Sequence, residues 1–216
     1  MVDRVAPRAE AVEVKAGRLC LDFVNTVRAR PLSERVDLID TYDDLLSWAR
    51  RATVLTGGEA AELAKAAQQH PRAASEALAQ ALSLREALYE VFSARAAGLP
   101  APPSHLQTIN KAIGRAMARA GLTPSKGGGF EWTWLGSVPG LDRVSWSVVR
   151  SAAELLTSGD LTGVRECAGY DCGWLFIDGS RNQSRRWCDM ASCGNRAKGR
   201  RHYERRKSGT VPAGRD

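Results

Sequence analysis

The sequence predicts a mainly α-helical fold, in which a helical N-terminal domain with a small β-element precedes a short cysteine-rich module. Three observations predict it. Apolar residues recur at helical spacing in several segments before residue 160, residues 130–135 alternate with period two, and four of the five cysteines fall within 27 residues. We place the domain at residues 1–160 and the module at residues 161–216.

The bulk composition is that of a globular protein. The chain has 216 residues, of which 44% are hydrophobic and 25% charged. No apolar run approaches the roughly 20 residues that a membrane span needs. The first residues lack the apolar stretch of a secretory signal. We therefore expect a cytoplasmic protein, in which free thiols persist.

Helix signals occur throughout the N-terminal domain. Apolar spacing favours a helix over a strand for residues 19–27. Thr41 and Asp44 match a capping box that starts the next helix, and Gly57 with Gly58 is expected to end it. Further helices are predicted over residues 59–69, 72–97, 105–120 and 145–157. We expect their apolar stripes to form the core of a bundle.

Other segments predict non-helical structure. Phe130, Trp132 and Trp134 alternate with polar residues, which predicts a short strand or one arm of a hairpin. Pro139 and Gly140 predict a turn, and residues 158–160 predict a hinge before the module. The first 17 residues are mixed and polar, and we expect them to be partly disordered.

The cysteines of the module follow the pattern of a metal site. Four residues separate Cys167 from Cys172, fifteen follow, and four more separate Cys188 from Cys193. Four thiolates satisfy the tetrahedral preference of Zn²⁺ and leave no open position for catalysis, so we predict one structural zinc ion. The alternatives are disulfides, which a reducing cytoplasm disfavours, and four unrelated buried thiols.

The residues around these cysteines predict a compact finger. Gly173 and Gly194 each follow the second cysteine of a pair and would let the backbone turn its amide groups toward the sulfur atoms. Residues 174–177 are suited to a hairpin arm, and residues 178–180 to a turn. A basic helix after Cys193 completes a treble-clef-like arrangement. His202 is a conceivable ligand that we interpret as a surface residue, and Cys20 is best explained as a core residue.

The positive charge of the chain is concentrated in this module. Residues 1–164 carry 19 Lys/Arg against 18 Asp/Glu, whereas residues 165–207 carry 11 against 5. Such a localised basic block predicts a polyanionic partner, most simply DNA. The candidate nucleic-acid contacts are Arg181, Arg185, Arg186, Arg196, Lys198, Arg200, Arg201, Arg205 and Arg206, with Lys207 beside them. Asn182 and Asn195 could read adenine or cap turns.

These residues resemble a known pair of bacterial domains. The stretch from Cys172 to Arg206, with its Cys193-Gly194-Asn195-Arg196 run, resembles the CGNR zinc finger. The upstream GRLCLDFVNTV resembles the opening of the ABATE domain that accompanies this finger. The resemblance implies a stress-induced transcription regulator, with the finger contacting nucleic acid and the helical domain sensing a ligand or forming a homodimer.

Other functions remain open at this point. The finger could be an RNA-binding module that uses Trp174 for stacking, or a structural finger that mediates protein–protein contacts. An enzyme is not expected, because the chain has no phosphate-binding loop, no HExxH and no nucleophile paired with a histidine. Asp22, Asn25 and Thr26 could line a pocket for a small-molecule effector, although we favour a role in satisfying nearby backbone groups.

Overall fold

The computed structural model describes residues 16–135 and 140–207. The disorder predicted for the first 17 residues falls almost wholly outside this range, as does Pro139 of the predicted turn. Seven α-helices are described: α1 (Leu19–Val24), α2 (Tyr42–Arg51), α3 (Gly57–Gln69), α4 (Pro71–Ala96), α5 (Pro103–Met117), α6 (Arg143–Leu156) and α7 (Asn195–Lys207). The predicted mainly α-helical class is confirmed.

Three antiparallel two-stranded ribbons accompany these helices. They pair β1 (Val27–Arg28) with β2 (Val36–Asp37), β3 (Ala120–Pro124) with β4 (Phe130–Trp134), and β5 (Val164–Glu166) with β6 (Leu175–Ile177). A short 3₁₀ helix (Gly159–Gly163) leads into β5, and a π-helical turn (Met190–Gly194) leads into α7.

The longest helix, α4, is the centre of the helical domain. Proline stands at its first position, where the missing N–H costs nothing. The helix packs against α1, α2, α3, α5 and α6, and also against β5 and β6. Its buried stripe includes Leu84, Leu88 and Phe92. The Trp48 and Phe23 rings are fully buried beside it, with their centroids 4.8 Å apart.

Helix boundaries differ from the sequence prediction in two places near the start. The helix predicted for residues 19–27 ends at Val24, because Asn25 turns the chain and residue 27 already belongs to β1. The capping box of Thr41 and Asp44 is present. The glycines predicted to end that helix instead begin α3, since Thr56 and Glu59 form a second capping box directly around them.

The β3–β4 hairpin extends the prediction for residues 130–135. The sequence indicated one arm, and its partner is Ala120–Pro124, so Gly121 lies in a strand instead of ending α5. Leu122 faces Trp132 across the ribbon. Trp134 packs on Trp146 of α6 with ring centroids 5.5 Å apart, whereas Leu122, Phe130 and Trp132 stay 62%, 75% and 48% exposed.

The cysteine-rich module is built into the helical domain. Val164 of β5 and Leu175 of β6 belong to the same buried cluster as α1, α4 and α6. The segment predicted as a hinge enters the 3₁₀ helix, which packs on α6, and Asp160 pairs with Arg18. Through these contacts the β5–β6 ribbon holds the finger against the helices.

Candidate metal centre and nucleic-acid surface

The four predicted ligands converge on one point. The Sγ atoms of Cys167, Cys172, Cys188 and Cys193 all lie within 4.8 Å of one another. The Sγ atom of Cys188 is 3.7 Å from that of Cys172 and 3.6 Å from that of Cys193. Four sulfurs at about 2.3 Å from one zinc ion would stand about 3.8 Å apart, so the donor set fits this metal. None of the four forms a disulfide.

Local backbone geometry brings the first pair of cysteines together. Cys167 follows β5, and its N–H donates to the Trp174 carbonyl at 2.8 Å. The N–H of Cys172 closes a turn onto the Gly169 carbonyl at 3.1 Å. A Cβ on Gly169 would lie 3.0 Å from the Cys172 Cβ and 3.5 Å from two of the sulfurs. Glycine therefore keeps the space beside the sulfur cluster open.

The second pair is held by an arginine. Arg185 donates through Nε to the Trp187 carbonyl at 2.8 Å and through Nη2 to the Cys188 carbonyl. Its guanidinium carbon lies 4.6 Å from the centroid of the Phe176 ring, which is buried among the cysteines. Arg185 was predicted to contact nucleic acid, and the structure gives its guanidinium these partners inside the finger.

Hydrogen bonds offset the negative charge of the sulfurs. The Cys188 N–H donates to the Cys167 Sγ at 3.4 Å, and Arg196 Nη2 donates to the Cys193 Sγ at 3.1 Å. Arg196 also lies 3.5 Å from Asp171. Burial alone would lower the pKa of Arg196, but the neighbouring Cys193 and Asp171 outweigh burial and raise it. Arg196 is therefore a counter-charge of the metal centre.

Because the four sulfur atoms lie so close together, the pKa of each thiol depends on its neighbours. Hydrogen bonds from Cys172 and Cys188 lower the pKa of Cys167 to about 2. The hydrogen bond with Cys167 raises the pKa of Cys172 to about 12, and bonds with Cys167 and Cys172 raise the pKa of Cys188. A divalent cation at the centre would remove the remaining thiol protons, because metal-bound thiols are deprotonated.

The predicted glycine roles hold for one of the two positions. Gly173 has a φ of +69°, the left-handed turn that favours glycine. Gly194 has no such φ and belongs to the π-helical turn, where its Cα faces the Met190 side chain. Gly194 is therefore explained by the lack of room for a Cβ beside Met190, and not by a backbone conformation that only glycine adopts easily.

The fifth cysteine, Cys20, and the histidine considered as a ligand, His202, both lie outside the sulfur cluster. Cys20 is fully buried in α1, and this burial raises the pKa of its thiol to about 12. His202 lies exposed on α7. Among the described residues, the group able to hold a metal consists of the four cysteines alone.

The predicted nucleic-acid residues form an exposed surface around α7. None of the 13 residues of this helix is buried. All the predicted cations and Lys207 are exposed except Arg200, which is half-buried. Arg185 and Arg196 are exposed too, but their guanidinium groups have the partners inside the finger given above. Asn195 begins α7 and donates to the Ala191 carbonyl at 3.1 Å, so it acts as a local cap. Asn182 is exposed before the second cysteine pair.

The three residues considered for an effector pocket are buried and have partners within the chain. Asp22 accepts from the Ala16 N–H at 2.8 Å, and Thr26 donates to the Phe23 carbonyl at 2.8 Å. Asn25 Nδ2 donates to the Leu175 carbonyl at 2.8 Å, and the Leu175 N–H donates back to Asn25 Oδ1 at 2.9 Å. These bonds match the backbone-satisfying role that the sequence favoured.

Sequence reasoning missed two features near the finger. Arg85 of α4 is 3% exposed and binds Asp37 through two bonds of 2.8 and 2.5 Å, as well as Thr26 at 3.0 Å. No sequence motif marks this pairing across 48 residues. Tyr170, inside the first cysteine pair, is 57% exposed and lies under Arg200. The sequence could have marked Tyr170 as a candidate contact, because it is an aromatic residue between two metal ligands.

The comparisons with known proteins agree with this geometry. The CGNR zinc finger model matches residues 164–206, which contain all four cysteines, so the predicted structural zinc is confirmed. No curated protein matches the chain. No helix within the described residues has the length and apolar character to cross a membrane. The ABATE model, described as "Putative stress-induced transcription regulator", matches residues 17–159. The chain therefore belongs to the ABATE family of transcription regulators and carries a CGNR zinc finger at residues 164–206.

Proposed function

We propose that the protein regulates transcription by binding duplex DNA through the basic surface of α7 and the finger. The observation that carries this proposal is the composition and exposure of α7. Seven of its 13 residues are Lys or Arg, one is Glu, and none is buried. A helix with no apolar face gains nothing from the core, and one of this length is marginal alone in water. A polyanionic partner supplies the missing stabilisation.

Arginine suits this role better than a general positive charge would. The guanidinium fork binds phosphate or the edge of guanine through two parallel hydrogen bonds. α7 is narrow enough to enter the major groove of DNA, which is about 12 Å wide. Contacts to phosphate would supply most of the affinity and little of the sequence preference.

The remaining features support binding instead of catalysis. The sulfur cluster is a closed four-thiolate site that leaves no position for a substrate. The metal-binding residues of the module are thus structural, and its exposed residues are largely cationic. Reduced thiols fit a cytoplasmic location.

The helical domain would supply dimerisation and sensing. The β3–β4 hairpin carries an exposed apolar face formed by Leu122, Phe130 and Trp132, each about half exposed or more. A second copy of this chain would cover it and double the number of fingers on DNA. A cleft of about 580 Å³ between α3 and α4, near Gln69 and Gln80, is the place for a small-molecule effector.

Fluorescence anisotropy with full-length protein tests the proposal. Mixed-sequence duplex DNA should bind at low salt, and log K should fall steeply with log salt. Replacing Arg201 and Arg206 by Gln should flatten that slope by up to about 2 units. The matched control is Lys111→Gln with Arg115→Gln, which removes the same charge from an exposed part of α5.

Three outcomes separate the alternatives. No binding of duplex DNA at low salt rejects the proposal. Tighter binding of single-stranded RNA at equal salt would favour the RNA module instead. Trp174, the residue predicted to stack, is half-buried and donates to the Val27 carbonyl, so Tyr170 would be the exposed aromatic of such a module. An equal loss in the α5 control and the α7 variant would show that net charge, and not the finger, attracts DNA.

Light scattering tests self-association separately. If a dimer forms through the hairpin, Phe130→Ser should lower the molecular mass measured for the protein.

A further inference from the structure

A cleft lies between the first cysteine pair and the start of α7. Its volume is about 220 Å³. One wall is the loop of residues 168–171, and the other is the first two turns of α7. The charged and aromatic side chains that line it are Tyr170, Asp171, Arg186, Trp187, Arg196, Arg200 and Arg201.

The cleft has an excess of positive charge. Four guanidinium groups line it against one carboxylate, that of Asp171. The zinc ion with its four thiolates, which borders the cleft through Cys193, carries a net charge of about −2. Arg196 contacts both Asp171 and the Cys193 sulfur. Arg186, Arg200 and Arg201 then supply the donors that an incoming anion would meet.

Two of these guanidinium groups lie against aromatic rings of the finger. The Arg200 guanidinium carbon lies 3.3 Å from the centroid of the Tyr170 ring, so its plane is held by the aromatic face. The Arg186 guanidinium carbon lies 5.5 Å from the centroid of the Trp187 ring. Holding an arginine in place lowers the entropy lost on binding, because fewer rotamers must be given up.

The size of the cleft selects the kind of anion. A tetrahedral phosphate occupies roughly twice the 30 Å³ that one water takes in the liquid. The cleft therefore has room for a phosphate with its two ester oxygens and part of a sugar.

We propose that this cleft binds one backbone phosphate of a nucleic acid, with Arg200 as its main donor and Tyr170 as the residue that positions Arg200. The inference rests on the proposed function and adds to it the contact that sets the register of α7. A phosphate held beside the zinc centre fixes the start of α7, and the outer turns then follow the groove.

The first test compares two substitutions that remove the same charge from α7. Arg200→Gln removes the cleft donor, whereas Arg206→Gln removes an exposed cation nearly two turns further along. In full-length, zinc-loaded protein, Arg200→Gln should weaken binding of duplex DNA about tenfold, the loss expected for one charge-assisted hydrogen bond, and Arg206→Gln clearly less. Melting temperature and zinc content should be unchanged in both.

The second test uses inorganic pyrophosphate as the probe, without DNA. Pyrophosphate should shift the side-chain NMR signals of Arg200 and Arg201 saturably, and Tyr170→Leu should weaken this binding while Tyr170→Phe preserves it, because Phe keeps the ring that holds Arg200. If the wild-type protein binds DNA, but Arg200→Gln matches Arg206→Gln and pyrophosphate gives no saturable shift, the cleft is rejected and the DNA-binding function stands. If the wild-type protein binds no DNA, the function fails and the phosphate assignment fails with it.

Discussion

The side-chain amide of Asn25 forms a complete pair of hydrogen bonds with the backbone of Leu175, 150 residues away in the sequence. One bond satisfies the carbonyl of β6 and the other its N–H, as a neighbouring strand would. Trp174 adds a bond from its indole N–H to the Val27 carbonyl at 3.2 Å. The finger thus joins the helical domain through side-chain bonds to backbone groups, in addition to its apolar contacts.

Replacing Asn25 by Ala should destabilise the whole protein by about 2–4 kcal/mol, because the N–H and carbonyl of Leu175 would be left buried without partners. Chemical denaturation of the zinc-loaded protein measures this. Asn110→Ala, an exposed position on α5, is the control and should change little. A loss below 1 kcal/mol for Asn25→Ala would mean that the finger is not held by this pair.

Zinc should stabilise more than the finger. Freshly purified protein should contain one zinc ion per chain, and Cys172→Ser should lose it. Because Val164 and Leu175 lie in the main buried cluster, metal loss should lower the melting temperature of the helical domain by about 10 °C or more. Metal analysis with calorimetry checks both statements. Unchanged melting of the helices after chelation would contradict this coupling.

The neighbouring arginines Arg185 and Arg186 should behave differently. Arg185→Ala removes the donors to the Trp187 and Cys188 carbonyls, so zinc should exchange faster and the finger should be less stable. Arg186→Ala should leave zinc retention unchanged and weaken DNA binding, because its guanidinium lies beside the Trp187 ring and lines the cleft next to α7. Zinc release to a chromogenic chelator separates the two. Equal release rates would refute the structural role of Arg185.

A methyl group at Gly173 should be costly. The positive φ alone costs an L-residue roughly 1–2 kcal/mol, and the new Cβ would lie 3.0 Å from the Arg30 Cβ and 3.1 Å from the Pro31 Cδ. We expect Gly173→Ala to lower stability and to loosen the finger from the helical domain. Gly199→Ala is the opposite control, since no atom lies within 4 Å and the change should raise the helicity of α7. Circular dichroism and thermal melting report both effects.

The pair of Arg85 and Asp37 should make stability depend on acidity. Burial would raise the pKa of Asp37, but the hydrogen bonds and charge of Arg85 outweigh burial and lower it. A lowered pKa contributes stability that is fully present above the unfolded value of about 3.9 and is lost as the pH falls through the lower folded value. Asp37→Asn should therefore flatten the fall in unfolding free energy between about pH 5 and pH 2. Glu90→Gln, at an exposed position on α4, should leave that curve unchanged.

The sequence predicted those parts of the fold that depend on residues close together in the chain. Thr41 and Asp44 predict the start of a helix without any further information, because a capping box involves residues only three apart. The matching box at Thr56 was hidden because the two glycines that follow it also suit a helix end. Strand β3 was missed because its residues neither alternate nor favour strands, and it forms only by pairing with β4.

The candidate site shows the same limit. Cysteine spacing predicts the metal centre because the ligands lie close together in the chain. Nothing local distinguishes Arg185, which binds two carbonyls of the finger, from Arg186, which lies beside the Trp187 ring. Likewise, the partners of Asn25 and Arg85 are 150 and 48 residues away. Contacts of that kind are set by tertiary packing and leave no periodic trace in the sequence.

The absence of any buried residue in α7 has a consequence for how such a protein can evolve. A side chain that contributes nothing to the core can be exchanged without loss of folding stability. Mutations in the outer turns of α7, beyond Arg196, would therefore change the binding surface and leave the fold intact, whereas mutations around Gly169 or Asn25 would be removed by selection for a folded chain. Under the proposed function, related proteins could acquire new targets through changes in one short helix segment while the rest of the molecule stays the same.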